Sequence, residues 1–252
     1  MRRFDAGLRY GLLAVMAAAM ASSAPYAPLG AQAWQCRAPA NLPRPQIELP
    51  PSGSVRRTPV DGYILALSWS PEYCKGRRGK SLQCDGKIGD FGFILHGLWP
   101  EAKGPDYPQY CRKTALLPRK VVAENICMTP DVQLLQHEWA KHGSCMARRP
   151  ETYFGAGTLM FEAIEFPDMD WLSRRGAREA RAGKPMTAAA FADEFAKIND
   201  GLPASAIRVK ANGRRWLQEV RICLGKDFKP RPCRAFTGGT RAGAEVKIWR
   251  GG

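Results

Sequence analysis

The sequence predicts an α+β fold, and three observations lead to this class. Apolar runs of strand length and strand composition occur at 63–69 and 91–95. Predicted helices follow as a group over 130–199, and strand-like segments return over 206–249. Because strands and helices are clustered instead of alternating, α+β is favoured over a doubly wound sheet. A length of 252 residues fits one large domain or two small ones, and we expect one.

The first 33 residues are predicted to be an export signal. Three arginines precede an apolar run over residues 10–20, and small residues follow that run. We expect cleavage after Ala33 or, as the alternative, after Ala24. A retained membrane anchor is the weaker interpretation, because an anchoring helix needs about 20 apolar residues.

Residues 34–59 are predicted to form an extended N-terminal segment, because six prolines in this stretch oppose both helix and central strand. The folded domain is then expected over 60–252, and the strand at 63–69 is its first element. The second strand, at 91–95, leads directly into His96.

Two helices are expected in the middle of the chain. The first has Thr129 as a candidate N-cap and Pro130 at its first helical position, and we expect it to end at Lys141 or His142. The second, over 151–175, is less regular in its apolar spacing.

A third helix is predicted over 187–199. Its apolar face carries Phe191, Phe195 and Ile198 at the i, i+4, i+7 spacing of a helix. Strands are then predicted at 206–210, 216–224 and 245–249.

Eight cysteines are an even number, which after an export signal usually means disulfides formed in an oxidising compartment. We therefore expect a secreted or periplasmic protein. The sequence contains no Cys-x-x-Cys pair, which argues against a zinc ribbon and against a thioredoxin-like redox site.

The chain is strongly basic, with a formal net charge of +15. Removal of residues 1–33 would leave 35 basic and 22 acidic residues, a net charge of +13. Such a balance favours a polyanionic partner, meaning nucleic acid, anionic lipid or acidic polysaccharide. A basic but inert surface is the alternative.

All three histidines lie in two short motifs, at 93–100 (Phe-Ile-Leu-His-Gly-Leu-Trp-Pro) and 137–145 (His-Glu-Trp-Ala-Lys-His-Gly-Ser-Cys). Four polar side chains of the second motif are expected to share one helical face, because each residue turns roughly 100°. They are His137, Glu138, Lys141 and His142. A solvated Glu–Lys face with two incidental histidines is the weaker alternative.

No metal site is expected. The second motif begins like a zinc-protease helix, but Lys141 stands four residues after His137, where the second ligand belongs, and His142 follows one residue too late. A serine or cysteine nucleophile is also disfavoured, because no Gly-x-Ser-x-Gly elbow is present and the cysteines are expected in disulfides.

Two histidines from different elements suit phosphodiester cleavage. One neutral imidazole removes a proton while one imidazolium donates a proton to the leaving oxygen, and His96 and His142 are the candidates. Lys141 could hold the negative charge that develops on phosphorus. If the 2′-hydroxyl of the substrate is the nucleophile, neither metal nor cofactor is needed, and the chemistry itself selects RNA over DNA.

At these residues the sequence resembles the ribonuclease T2 family. The family's two active-site motifs are a His-Gly-Leu-Trp-Pro segment and a His-Glu-Trp-x-Lys-His-Gly segment followed by a cysteine, and both stand here without substitution. The resemblance runs from Tyr63 to Cys233. It implies an α+β fold with a central antiparallel sheet flanked by helices, and cleavage of single-stranded RNA through a 2′,3′-cyclic phosphate to 3′-phosphate ends.

The resemblance also implies a role for each motif residue. The general acid falls on His96, the general base on His142, and a phosphate-binding histidine on His137. Glu138 and Lys141 fall on the pair that stabilises the crowded phosphorus.

Three further positions are implied to bind the base. Stacking and base contact fall on Trp99, Glu101 and Tyr107. Glu101 departs from the Asp or Asn of the family, which leaves the base preference open, and Trp99 and Tyr107 could instead be ordinary core aromatics.

The resemblance pairs the cysteines as well. It joins Cys111 to Cys145, Cys223 to Cys233 and Cys74 to Cys84, which leaves Cys36 for Cys127. The partner expected is RNA, with no metal, no membrane once the signal is removed, and a monomeric state. A secreted binding protein on the same fold, or a basic module that coats anionic surfaces, are the competing interpretations.

Overall fold

A computed structural model describes residues 36–79 and 81–251. The predicted export signal, with both candidate cleavage positions, lies outside the described residues. Within the described ranges, no helix has both the length and the apolar character needed to cross a bilayer.

A four-stranded antiparallel sheet forms the centre of the fold. Its spatial order is β2-β1-β4-β3, and helices pack against it. The predicted α+β class with a central antiparallel sheet is confirmed. The strands are β1 (Gly62–Trp69), β2 (Phe93–Glu101), β3 (Ile207–Ala211) and β4 (Leu217–Leu224).

The helices are mostly short, and α5, α6 and α7 are the long ones. They are α1 (Ser70–Tyr73), α2 (Arg119–Asn125), α3 (Val132–Glu138), α4 (Ser144–Met146), α5 (Pro150–Glu162), α6 (Met169–Arg181) and α7 (Ala188–Ile198). A π-helical turn, Trp139–Gly143, joins α3 to α4, and 3₁₀ turns cover Ala204–Ala206 and Ala235–Thr237.

The two faces of the sheet have different roles, because successive side chains of a strand point to opposite faces. On β1, Leu65 and Leu67 are fully buried in the hydrophobic core. That core continues into an aromatic cluster. In this cluster the ring centroids of Phe93 on β2 and Phe195 on α7 are 5.7 Å apart. The alternate residues of β1, including Ser68, lie on the opposite face, where the polar residues described below gather.

Two sequence predictions are wrong in detail. The single helix expected over 151–175 is two helices, because Pro167 has no N–H and keeps its neighbour out of the helical region, while Asp168 caps the second helix by accepting from Trp171 N. The strand expected at 245–249 is absent from the described sheet. Glu245 and Lys247 form only isolated bridges there.

Other predictions hold closely. The strands expected at 63–69, 206–210 and 216–224 correspond to β1, β3 and β4. The helix expected over 187–199 is α7, with Thr187 as its N-cap.

The structure contains four disulfides, and no described cysteine is free. They are Cys36–Cys127, Cys74–Cys84, Cys111–Cys145 and Cys223–Cys233, the pairs that the resemblance implies.

Residues 36–61 contain no helix and no strand, but several contacts hold them against the domain. Besides the Cys36 disulfide, Gln46 N donates to Gln133 Oε1, and Arg56 bridges to Gln109. The course of residues 36–61 places Glu48 beside His137 of α3.

Candidate active site

A β-bulge in β2 sets the direction of the His96 side chain. Ala66 of β1 pairs with Gly97 and Leu67 pairs with Leu95, so His96 is the extra residue between two paired neighbours. The strand predicted at 91–95 is longer than expected, because β2 continues through His96 to Glu101. Bulges commonly redirect a side chain next to an active site. Here the bulge turns the imidazole toward the polar face of the sheet.

Two polar groups hold the His96 ring. Its Nδ1 lies 2.9 Å from Glu219 Oε2 and 3.1 Å from Ser68 Oγ. Since an imidazole N–H donates to a carboxylate, Glu219 keeps the proton on Nδ1 of the neutral ring and leaves Nε2 facing Glu138, whose Oε1 is 3.6 Å away. The His96 side chain stays 29% exposed, so part of it is accessible to a substrate.

The second motif is bent by a π-helical turn. Asp131, not the predicted Thr129, caps α3, and its side chain accepts from Gln133 N and Leu134 N. Thr129 instead donates to Leu95 O at 2.6 Å and so ties the start of this segment to β2. Since the π turn Trp139–Gly143 departs from a simple 100° repeat, the four polar side chains do not share one regular helical face.

The structure divides these side chains into a centre and an edge. Glu138, Lys141 and His142 lie at the centre, beside the ring of Trp99 or the cavity next to it. His137 lies at the edge, where its Nδ1 is 2.6 Å from Glu48 Oε1.

Glu138 is the buried carboxylate of the site. Its Oε2 accepts from Trp99 Nε1 at 2.8 Å and from Tyr153 OH at 3.4 Å. Burial raises the pKa of Glu138, although the nearby charge of His96 lowers it in part. A Cβ at Gly97 would overlap this carboxylate, so the glycine after His96 is required by close approach.

A second glycine of the motifs is also required by packing. A Cβ at Gly143 would collide with the rings of Trp139 and Tyr153. These contacts hold the π turn against α5.

The surroundings of the two histidines shift their pKa values in opposite directions. Burial lowers the pKa of His96, but the hydrogen bond with Glu219 and the charges of Glu138 and Glu219 outweigh burial, so the pKa is raised above its usual 6.5. Burial and the positive charges of Lys141, His137 and His96 hold the pKa of His142 well below 6.5. Near neutral pH, His96 can donate a proton and His142 can accept one.

A cavity of about 270 Å³ opens beside His142. We call it the base cavity. It is lined by the three predicted base-binding residues together with Lys141 and His142, and by Phe236 and Thr237. The ring centroid of His142 lies 5.4 Å from that of Trp99 and 6.1 Å from that of Tyr107, so neither aromatic belongs to the hydrophobic core.

Glu101 is the last residue of β2. It is buried, its Oε1 accepts from Thr237 Oγ1 at 3.0 Å, and its Oε2 lies 2.5 Å from Arg231 Nη2. Both oxygens therefore already have protein partners at the wall of the base cavity.

Sequence reasoning missed Glu219, Glu48 and Arg221. Glu219 is buried, and burial raises its pKa while the hydrogen bond to His96 and the charges of His96 and Arg221 lower it, to about 2. The guanidinium of Arg221 lies 5.1 Å from the centroid of the Trp99 ring. The one available signal was that Glu219 and Arg221 are charged residues inside a predicted strand. Nothing in the sequence pointed to Glu48.

Comparison with known proteins identifies one family. The sequence model of the Ribonuclease T2 family matches residues 60–233. The chain is 36% identical over 130 residues to a protein of Haemophilus influenzae named probable ribonuclease, covering 46% of this chain and 47% of that protein. It is 33% identical over 170 residues to a ribonuclease of Aeromonas hydrophila, covering 66% and 73%. The match thus spans about half of the first relative and nearly three quarters of the second.

Two solved structures share the fold. Trichomaglin, described as an S-like ribonuclease, superposes with a TM-score of 0.55 at 18% identity, covering 76% of this chain and 98% of its own. RNase NT, solved in complex with 5′-AMP, gives a TM-score of 0.54 at 20% identity over the same shares.

Proposed function

The chain belongs to the ribonuclease T2 family, and we propose that it is an endoribonuclease that cleaves single-stranded RNA without a metal ion. The observation that carries the proposal is a pair of histidines that both pack against Trp99 and have opposed pKa shifts, His96 upward and His142 downward. Pairs of titratable groups whose surroundings separate their pKa values are typical of acid and base partners.

In the proposed first step, neutral His142 removes the proton of the 2′-hydroxyl while that oxygen attacks the adjacent phosphorus. The bond from phosphorus to O5′ breaks, and protonated His96 gives its proton to the departing oxygen. The product is a 2′,3′-cyclic phosphate. In a second, slower step the roles reverse: His96 activates water, His142 protonates O2′, and a 3′-phosphate remains.

The remaining motif residues stabilise the crowded phosphorus. Lys141 supplies positive charge beside His142, and Glu138 lies within reach of His96 Nε2. His137, paired with Glu48, binds a phosphate oxygen from the edge of the site.

Metal independence follows from the nucleophile. An internal 2′-hydroxyl needs no metal-bound hydroxide, and DNA lacks that hydroxyl. In the described ranges, no group of three or more His, Cys, Asp or Glu side chains forms a metal-ligand cluster.

The base cavity is proposed to hold the base on the 5′ side of the cut, since it adjoins the histidine that faces the 2′-hydroxyl. Trp99 and Tyr107 offer aromatic faces for stacking. Glu101 contributes to base choice from the wall of the cavity.

Export and a monomeric state belong to the same proposal. The basic leader and four disulfides support a secreted or periplasmic location. A monomer suffices because one chain supplies both histidines and Glu138.

The deciding experiment is digestion of RNA by the purified protein in the presence of EDTA. Cleavage should persist and give 2′,3′-cyclic phosphate ends by mass spectrometry, and a 2′-O-methyl sugar 5′ to the scissile phosphate should block the cut at that position. RNA binding without cleavage would favour the binding-protein alternative. Comparable cutting of DNA would contradict the internal nucleophile.

A further inference from the structure

A second depression adjoins the active site, with a volume of about 680 Å³. We call it the downstream groove. Its floor carries Ser68 and Glu219, one wall carries Tyr73 and Arg77 after β1, and the other wall is formed by the end of β3 and the turn into β4. The lining residues include Ser68, Tyr73, Arg77, Lys210, Arg214 and Glu219.

The downstream groove begins at His96. Both Ser68 and Glu219 contact the Nδ1 side of that ring. The base cavity is lined by Ile64, which lies on the same face of β1 as Ser68. The two residues are four positions apart, which corresponds to about 13 Å along a strand. The active site therefore lies between the two depressions.

The proposed roles of the histidines give this arrangement a direction. His142 faces the 2′-hydroxyl, which belongs to the nucleotide on the 5′ side of the cut. His96 faces the departing O5′, which belongs to the nucleotide on the 3′ side. A strand that continues past His96 is therefore the downstream part of the RNA.

The walls of the groove are positively charged. Arg77, Lys210 and Arg214 are exposed, and none of them forms a salt bridge within the part of the chain that the structure describes. Two carboxylates also line the groove. Glu219 is already matched by His96 and by Arg221, and Glu72 accepts from Asn212, so three unpaired cations face one carboxylate that has no salt bridge among the described residues. Unmatched cations along a groove attract the phosphates of a single strand.

The groove also has an aromatic face and a fixed shape. Tyr73 is 39% exposed, with the guanidinium of Arg77 4.6 Å from its ring centroid. Asn212 holds the β3–β4 turn by accepting from Arg214 N at 2.9 Å, and its Nδ2 donates to Glu72 Oε1 at 2.7 Å. Since this last bond links the two walls, the groove exists before any ligand binds.

We propose that the downstream groove binds the single-stranded RNA on the 3′ side of the cut, through its phosphates and one stacked base. The proposal rests on the proposed function and adds to it a binding surface beyond the reacting dinucleotide. It makes the enzyme faster on RNA that extends downstream than on RNA that extends upstream.

The test uses three substrates that each contain a single ribonucleotide, so that each can be cut at one position only. The first ends one deoxynucleotide after the cut, the second has about six more deoxynucleotides on its 3′ side, and the third has about six more on its 5′ side. The variant is Lys210→Ala/Arg214→Ala. It removes two charges whose side chains make no hydrogen bond or salt bridge within the described residues.

For the unaltered enzyme, kcat/KM should be roughly tenfold higher on the 3′-extended substrate than on the minimal one. The double variant should lose that gain and keep its rates on the other two substrates. Its plot of log kcat/KM against log salt for the 3′-extended substrate should be shallower by about 1.4, since each lost phosphate contact of a single strand accounts for about 0.7. The matched control, Arg178→Ala/Arg181→Ala on α6, removes the same charge away from the groove and should change nothing.

An unchanged rate of the double variant on the 3′-extended substrate would overturn the proposal, and so would an equal loss on the 5′-extended substrate. If the unaltered enzyme cut none of the three substrates, the proposed function itself would fail.

Discussion

Both proposed catalytic histidines pack against Trp99, at ring-centroid distances of 5.1 Å for His96 and 5.4 Å for His142, yet their surroundings carry opposite charge. His96, on a bulged strand, has carboxylates beside both of its ring nitrogens. His142, in a π-helical turn, has Lys141 beside it, and its buried Nδ1 has no hydrogen-bond partner among the described residues. The comparison shows that the elements packed around two residues of the same type can shift their pKa values in opposite directions.

Removal of the imidazole of His96 or of His142 should have the largest effect on activity. We expect His96→Ala and His142→Ala each to lower kcat by about 10²–10⁴-fold, because each removes a proton-transfer group. Thermal unfolding and circular dichroism should show a folded protein in both cases. Near-normal turnover by either purified variant would contradict the assignment.

The pH dependence of kcat/KM should reflect the shifted pKa values of both His96 and His142. Activity should fall on the acid side as His142 becomes protonated, below pH 6.5 because its pKa is lowered, and on the alkaline side as His96 loses its proton, above pH 6.5 because its pKa is raised. Each limb should change the rate about tenfold per pH unit. A flat profile between about pH 4 and about pH 9 would be incompatible with two titrating histidines.

Glu219→Gln tests the carboxylate side of the comparison. The amide can still accept from Nδ1 of His96, but the negative charge is gone, so the pKa of His96 should fall and the alkaline limb should move to lower pH. A shift of about one pH unit would cost about tenfold in rate on that limb. The acid limb should stay in place. Glu194→Gln, which alters a carboxylate paired with Arg175 away from the site, is the control and should leave both limbs unchanged.

His137→Ala should have a smaller effect than loss of either central histidine, because His137 lies at the edge of the site with Glu48. We expect a loss of about tenfold that appears mainly as a higher KM, as fits a residue that binds phosphate in the ground state. Glu48→Gln should move KM in the same direction. A collapse of kcat in His137→Ala would instead place this ring in proton transfer.

Glu101→Gln should give the smallest change. The carboxylate already accepts from Arg231 and Thr237, so little of its capacity is left for a base, and we expect a change of roughly threefold in the relative rates of different dinucleotides. Asp61 also pairs with Arg231, which limits the cost of the substitution. Uniform slowing across all dinucleotides would show that Glu101 has no part in base choice.

Much of the fold followed from local sequence. An apolar run predicted β1, strand-like segments predicted β3 and β4, and the spacing of Phe191 and Phe195 predicted α7. The segment at 245–249 failed because strand composition alone cannot say whether a partner edge is available. The helix expected over 151–175 is divided in two, because Pro167 interrupts it and Asp168 caps a second helix.

The sequence by itself determined which groups are candidates for the chemistry, since all three histidines lie in two dense motifs, although it did not reveal Glu219 or Glu48. Only the tertiary structure decided how each group behaves. Glu219 reaches His96 across 123 residues of chain, and Glu48 reaches His137 across 89. The pKa of an imidazole depends on burial and on charges within a few ångströms. Those charges come from strands and segments distant in sequence, so the pKa values of His96 and His142 separate only once the sheet, the π turn and the N-terminal segment have packed together.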